Sequence, residues 1–224
     1  MFRTGKLKFR WQQNICAAFA LVSVSSAQAA TVISEVLYDA ASSDNGNVFV
    51  ELYGTPGAVL DGLVLEGVNG SDGSIYHTVP LAGVIGASGV FLIGDDSGDG
   101  TSFISNADLV SEIDLQNGPD SVVLRDGGSV LDALGYGDFT GLFFAGEGEA
   151  APDAPAGFSL ARHSPLLDTN NNLEDFIELE LPTPGSAPVS AVPLPPAAAL
   201  FLSGIVGLAG VARKRGAMCS ERMH

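Results

Sequence analysis

Between Ala30 and Val192 the chain has no cysteine, no lysine and no arginine other than Arg125 and Arg162. Cys16 and Cys219 both lie outside this stretch, so no disulfide braces it. Against the two arginines stand twenty-five of the twenty-six acidic residues, Glu221 being the exception. A surface of one sign repels nucleic acid and anionic lipid, keeps the protein soluble and attracts divalent cations or basic partners. Catalytic patterns are scarce too. There is no Gly-x-Ser-x-Gly elbow and no cysteine nucleophile, and neither His77 nor His163 sits in a His-x-Glu or His-x-x-x-His arrangement. Nor does any segment sustain a helical period, which leaves short strands as the main element.

The missing cations are at the ends. Arg3, Lys6, Lys8 and Arg10 precede an apolar run from Ile15 to Val24, and Ala27-Gln28-Ala29 supplies small residues for cleavage before Ala30. That order predicts a secretory signal peptide over residues 1–29 and a partner in signal peptidase. Near the other end Val192, Pro193, Leu194, Pro195 and Pro196 form a proline-rich break. Sixteen uncharged residues follow, 197–212, and then the basic cluster Arg213, Lys214 and Arg215. Pro196 suits a helix start, because the first helical position needs no N–H donor. A helix over 197–212 spans roughly 24 Å, and flanking Arg and Lys snorkel to complete a membrane crossing. The basic cluster stays cytoplasmic, with residues 216–224 behind it, and everything before Val192 lies outside.

The body, residues 30–185, is long enough for one domain with a real core. β-Branched and apolar residues predict strands over 31–38, 47–53, 59–66, 74–79 and 89–94, then 110–115, 121–126, 129–136, 158–162 and 176–181. In the second strand Phe49 and Glu51 point to one face and Val48, Val50 and Leu52 to the other. Gly127-Gly128 is a two-residue hairpin turn that needs positive φ. Residues 146–157 read as an extended loop, Pro182 to Gly185 ends the domain, and 186–191 is a linker. Short strands separated by Gly, Asn and Pro turns favour an all-β sandwich.

Two family resemblances are visible in these residues. VPLPPAAALFLSGIVGLAGVARKR, residues 192–215, resembles the PEP-CTERM sorting signal, in its VPLPA-type variant, of exported proteins of Gram-negative bacteria. The resemblance implies an exosortase-like membrane protease as partner, a membrane-anchored stage before processing, and delivery to the cell surface or extracellular matrix. Leu194 stands where the commonest form has Glu, and residues 216–224 extend past the usual end. Within the body, ISEVLYDA (33–40), FVELYG (49–54) and LDGLVLEG (60–67) follow one another as in the lamin-tail domain. LQNGPDSVVLRDGGSVLDALGYGD (115–138), GFSLARHSPLLDTNNNLEDF (157–176) and TPG (183–185) continue the likeness. It implies an immunoglobulin-like β-sandwich and brings no general ligand or activity; Gly54 departs from the family's usual Asn.

Two segments are candidate calcium loops. Asp95, Ser97 and Asp99 offer oxygens at alternate positions before Gly100, as the first half of an EF-hand loop does. Asn106, however, occupies the place of the closing bidentate Glu, and a solvated loop is the plainer reading. Asp168, Asn170 and Asn172 repeat the spacing, where the plainer reading is a turn whose side chains bond their own backbone. His77, in a strand, reads as a surface imidazole. Arg162 beside His163 has the chemistry to hold an anion, but an isolated arginine among acids pairs more naturally with a carboxylate. The sequence therefore leads to a non-enzymatic exported interaction or structural module that requires no cofactor, with calcium as an optional ligand. Its expected partners are an extracellular polysaccharide or surface protein. The alternatives are a small metal-dependent extracellular hydrolase acting on phosphodiesters or glycans, and a domain anchored by an uncleaved tail.

Overall fold

In the computed structural model residues 31–165 and 167–186 are described, and they form two packed β-sheets. The signal peptide with Ala27, Ala29 and Ala30, the linker beyond Ser186, and the sorting residues, Val192 to Pro196 and Arg213 to Arg215, lie outside the described residues. Among the described residues no helix is long and apolar enough to cross a membrane.

The strands are β1 (Val32–Leu37), β2 (Phe49–Tyr53), β3 (Leu63–Asn69), β4 (Ile75–Pro80) and β5 (Val90–Asp95), followed by β6 (Leu109–Ser111), β7 (Asp120–Asp126), β8 (Ser129–Tyr136), β9 (Ser159–Arg162) and β10 (Phe176–Leu179). A single helical turn, α1 (Asn172–Asp175), precedes β10. One sheet runs β10-β9-β1-β2-β5-β6 and the other β4-β3-β7-β8. Every pairing is antiparallel except β5 with β6.

Period-two alternation builds the core. Val50 and Leu52 of β2, with Phe91 and Ile93 of β5, face Leu65, Val122, Leu124 and Leu134 of the other sheet, all buried. Complete burial of such side chains is worth about 1.5–3 kcal/mol each. Tyr38 stacks on Tyr136 with ring centroids 4.1 Å apart, and its hydroxyl meets Asp153 and the backbone of Ala154. That contact ties the long loop after β8 to the sandwich. In β1 a register shift between Ile33 and Glu35 breaks the alternation. Ile33 and Val36 thus both reach the core, while Glu35 comes to stand opposite Glu51 of β2.

Three expectations needed correction. The third strand starts at Leu63 rather than Val59, because the chain turns at Asp61-Gly62, where Gly62 has φ +92° and Leu63 donates back to the Leu60 carbonyl. Val59 makes no more than an isolated bridge to Val84. The run expected over 110–115 is the three-residue β6, a parallel edge that leaves the sheet once the amide of Ile113 turns to Asp95. The helical turn was not expected; the Asn171 side chain caps it by accepting from the Leu173 amide, a local signal too short to show as a period.

Candidate functional site

The strongest concentration of charge is built around Arg162, the last residue of β9. Its side chain is fully buried, and every arm of the guanidinium is engaged. Nη2 donates to both oxygens of Asp132 at 2.9 and 3.0 Å, Nη1 to Asp175 at 2.8 Å, and Nε to the Ile33 carbonyl at 3.1 Å. Nη1 also reaches Asp168 at 3.4 Å, and the guanidinium carbon lies 4.6 Å from the centre of the Phe176 ring. Four elements meet here: β8 brings Asp132, β9 Arg162, the following loop Asp168, and α1 Asp175. Arg162 pairs with carboxylates, as an isolated arginine among acids is expected to. His163 beside it is exposed, and its amide donates to the Asp175 carbonyl.

Glu147 completes the group from the long loop. Its carboxylate lies with those of Asp132 and Asp168, one oxygen of each within 4.8 Å of the others, and its Oε2 is sealed from solvent with no hydrogen-bond partner. Burial first, and then the charges of Asp132 and Asp168, raise its pKa from 4.5 to about 7. Burial also lifts the Asp132 carboxyl, opposed by Arg162 and by the Ile33 amide. Three carboxylates, those of Asp132, Asp168 and Asp175, thus share one guanidinium, and Glu147 stands beside two of them with its pKa raised to about 7. Chemically, that makes it a proton donor; with its two neighbours it is also the one grouping of three acidic, His or Cys ligand atoms among the described residues.

The sequence carries a signal for Asp132. It alternates with Leu134 and Tyr136, both buried in the core, so its carboxylate faces inward and requires a partner. Glu147 gave no such signal, since its position depends on how a long irregular loop folds back.

The two candidate calcium loops are arranged differently from each other. Asp95 is buried at the end of β5, with Oδ2 accepting from the Gly46 amide at 2.6 Å and Oδ1 from Ile113 at 2.7 Å. It pins two loops to the sheet. Ser97 donates to Asp99 at 2.9 Å, and Asp99 also accepts from the Thr101 hydroxyl and amide, which hold its pKa below the ordinary value. Asp96, singled out by no motif, accepts from the amides of Gly98, Asp99 and Gly100. A cavity of about 460 Å³ opens here, lined by Asp44, Asp95, Asp96, Glu112 and Asp114 among others.

In the second loop Asp168 joins the Arg162 group, and Asn170 takes φ +56° while its amide bonds Asp168. Asn172 is buried and acts as a bracket. Its Oδ1 accepts from Gly135 at 2.8 Å and Glu147 at 2.9 Å, and its Nδ2 donates to the Ala133 carbonyl at 2.8 Å. His77, in β4, is half-buried and donates from Nε2 to the Glu112 carbonyl at 2.8 Å, tying the segment after β6 to this strand.

Set against protein-family models, curated proteins and solved structures, the chain matches none of them.

Proposed function

We propose that this chain is an exported, non-enzymatic β-sandwich of the lamin-tail, immunoglobulin-like kind, shown at the cell surface or in the extracellular matrix of a Gram-negative bacterium. In this reading signal peptidase removes residues 1–29, a helix over 197–212 holds the chain in the membrane, and an exosortase-like protease then processes the tail. The folded body serves as an interaction or structural module for a surface protein or extracellular polysaccharide. The observation that carries it is the distribution of charge: an acid-rich, lysine-free body between two apolar segments that each carry a basic cluster on the side away from the body.

The fold supports this reading. Arg125 pairs with Glu66 at 2.6 Å and Arg162 is enclosed by carboxylates, so both arginines of the body are committed to ion pairs. The outer field is therefore negative, suited to basic or cation-bridged partners and unsuited to nucleic acid. No cofactor is required. Calcium, as an optional ligand, would be drawn to the acidic cavity or to the Arg162 carboxylates.

A reporter inserted between residues 40 and 180 tests export: activity outside the cytosol is expected, and cytosolic residence overturns the reading. Mass spectrometry of the surface-borne C-terminus separates processing from simple anchoring, because an intact His224 there marks an uncleaved tail. The hydrolase alternative rests on Glu147, a carboxyl whose pKa is raised to about 7 beside Asp132 and Asp168. Screening the purified protein against phosphodiester and glycan substrates decides it; turnover abolished by Glu147→Gln would favour the enzyme.

A further inference from the structure

Glu35 and Glu51 are register partners on β1 and β2, both fully buried, on the face of the six-stranded sheet away from the main core. Like charges directly opposite each other on a sheet repel, and among the described residues no cation pairs with either. Neutral donors hold them instead. Ser34 Oγ donates to Glu51 at 2.8 Å and Ser159 Oγ to Glu35 at 2.6 Å. The other three donors come from the last described residues. Thr183 reaches Glu35 through its amide at 2.8 Å and its hydroxyl at 2.7 Å, and the Gly185 amide reaches Glu51 at 2.8 Å.

The segment is shaped for this seat. Ser186 donates its amide to the Thr183 carbonyl at 3.0 Å, and Gly185 has φ +82° after Pro184, the arrangement of a type II turn. Leaving β10 at one edge of the sheet, the chain crosses to β1 at Thr183 and to β2 at Gly185. Pro184, Gly185 and Ser186 then border a cavity of about 290 Å³ with Val90 and Leu92 of β5. The path runs across the strands, from the edge toward the middle.

We propose that residues 183–186 are a strap that fixes where the following chain leaves the sandwich, so that force or motion beyond Ser186 is stopped at Glu35 and Glu51. Without it, a pull on the C-terminal side would act first on β10. That strand has four residues and a single neighbour, β9, so it would peel one pair of hydrogen bonds at a time. With the strap seated, the pull falls on two central strands through charge-assisted hydrogen bonds. The inference stands whether or not the tail is processed.

Amide hydrogen exchange in the full chain is the test. In the wild type the amides of Thr183 and Gly185 are expected to be protected about as well as those of β10. Gly185→Pro removes one donor and cannot adopt the turn's positive φ, while leaving every sheet residue in place. It should speed exchange at Thr183 and across β10 at least tenfold, with β3 and β7 unchanged. The double variant Glu35→Leu/Glu51→Leu, which removes the acceptors, should do the same from the other side. Wild-type strap amides that exchange like free peptide would overturn the proposal. So would a strap freed by Gly185→Pro with β10 protection unaltered.

Discussion

Arg162 and Asp132 meet through both carboxylate oxygens, thirty positions apart in the chain and each with a fully buried side chain. They join β9 of one sheet to β8 of the other, so the pair crosses the sandwich. A buried pair with hydrogen bonds on all sides specifies geometry more than it adds net stability, because desolvation offsets much of the attraction.

Removing one partner exposes that balance. Arg162→Met leaves Asp132 and Asp175 buried without their cation, and a loss of about 3–5 kcal/mol is expected in urea unfolding. Arg162→Lys keeps the charge but loses the fork, and should recover only part of the stability.

Glu147 makes stability depend on pH. Its pKa in the folded protein is raised from 4.5 to about 7, so the folded state holds this proton more tightly than the unfolded chain. The contribution is therefore fully present below pH 4.5 and lost as pH rises through 7. Discounted for partial exposure, the loss is about 1 kcal/mol. Glu51 and Asp120, both also raised by burial, act with the same sign. Unfolding measured at pH 5 and pH 8 should show a weaker protein at the higher value. Glu147→Gln should flatten part of that slope and be the more stable form at pH 8.

Asn172 is expected to matter more than its place in a polar loop suggests. Asn172→Ala removes a bracket between β8 and two loops and leaves the Gly135 amide and the Ala133 carbonyl buried without it. A cost of about 2–4 kcal/mol is expected, with hydrogen exchange rising first at Gly135 and Glu147.

Asp95 separates a calcium ligand from a structural anchor. Since both its oxygens are taken by backbone amides, Asp95→Ala should destabilise the protein by about 2–3 kcal/mol with calcium or with EDTA alike. Thermal melting in both buffers checks this; a difference confined to calcium would make Asp95 a ligand after all.

Much of the architecture was legible in the residues. The hairpin of β7 and β8 follows from two alternating runs around Gly127-Gly128, and Gly127 takes φ +54°. Strands such as β2 and β5 were set by composition and bounded by turns. The third strand starts later than composition suggests because Val59 and Leu60, though strand-like, stand before Asp61-Gly62, a dipeptide whose turn preference outweighs them. The acidic loop was legible as a loop and not as an anchor, since spacing shows where oxygens stand and not which amides approach them.

The charge distribution, the absence of a disulfide from the body and a sandwich of short strands are matters of local chemistry, and the sequence determined them by itself. Alternation marks an acid such as Asp132 as inward-facing, but which partner compensates each buried acid was decided by the tertiary structure alone. Arg162 finds Asp132, and Glu35 and Glu51 find Thr183 and Gly185, across separations of 30 to 148 residues. A buried charge takes whichever donor the packing brings near, and no local pattern encodes a neighbour supplied by another strand.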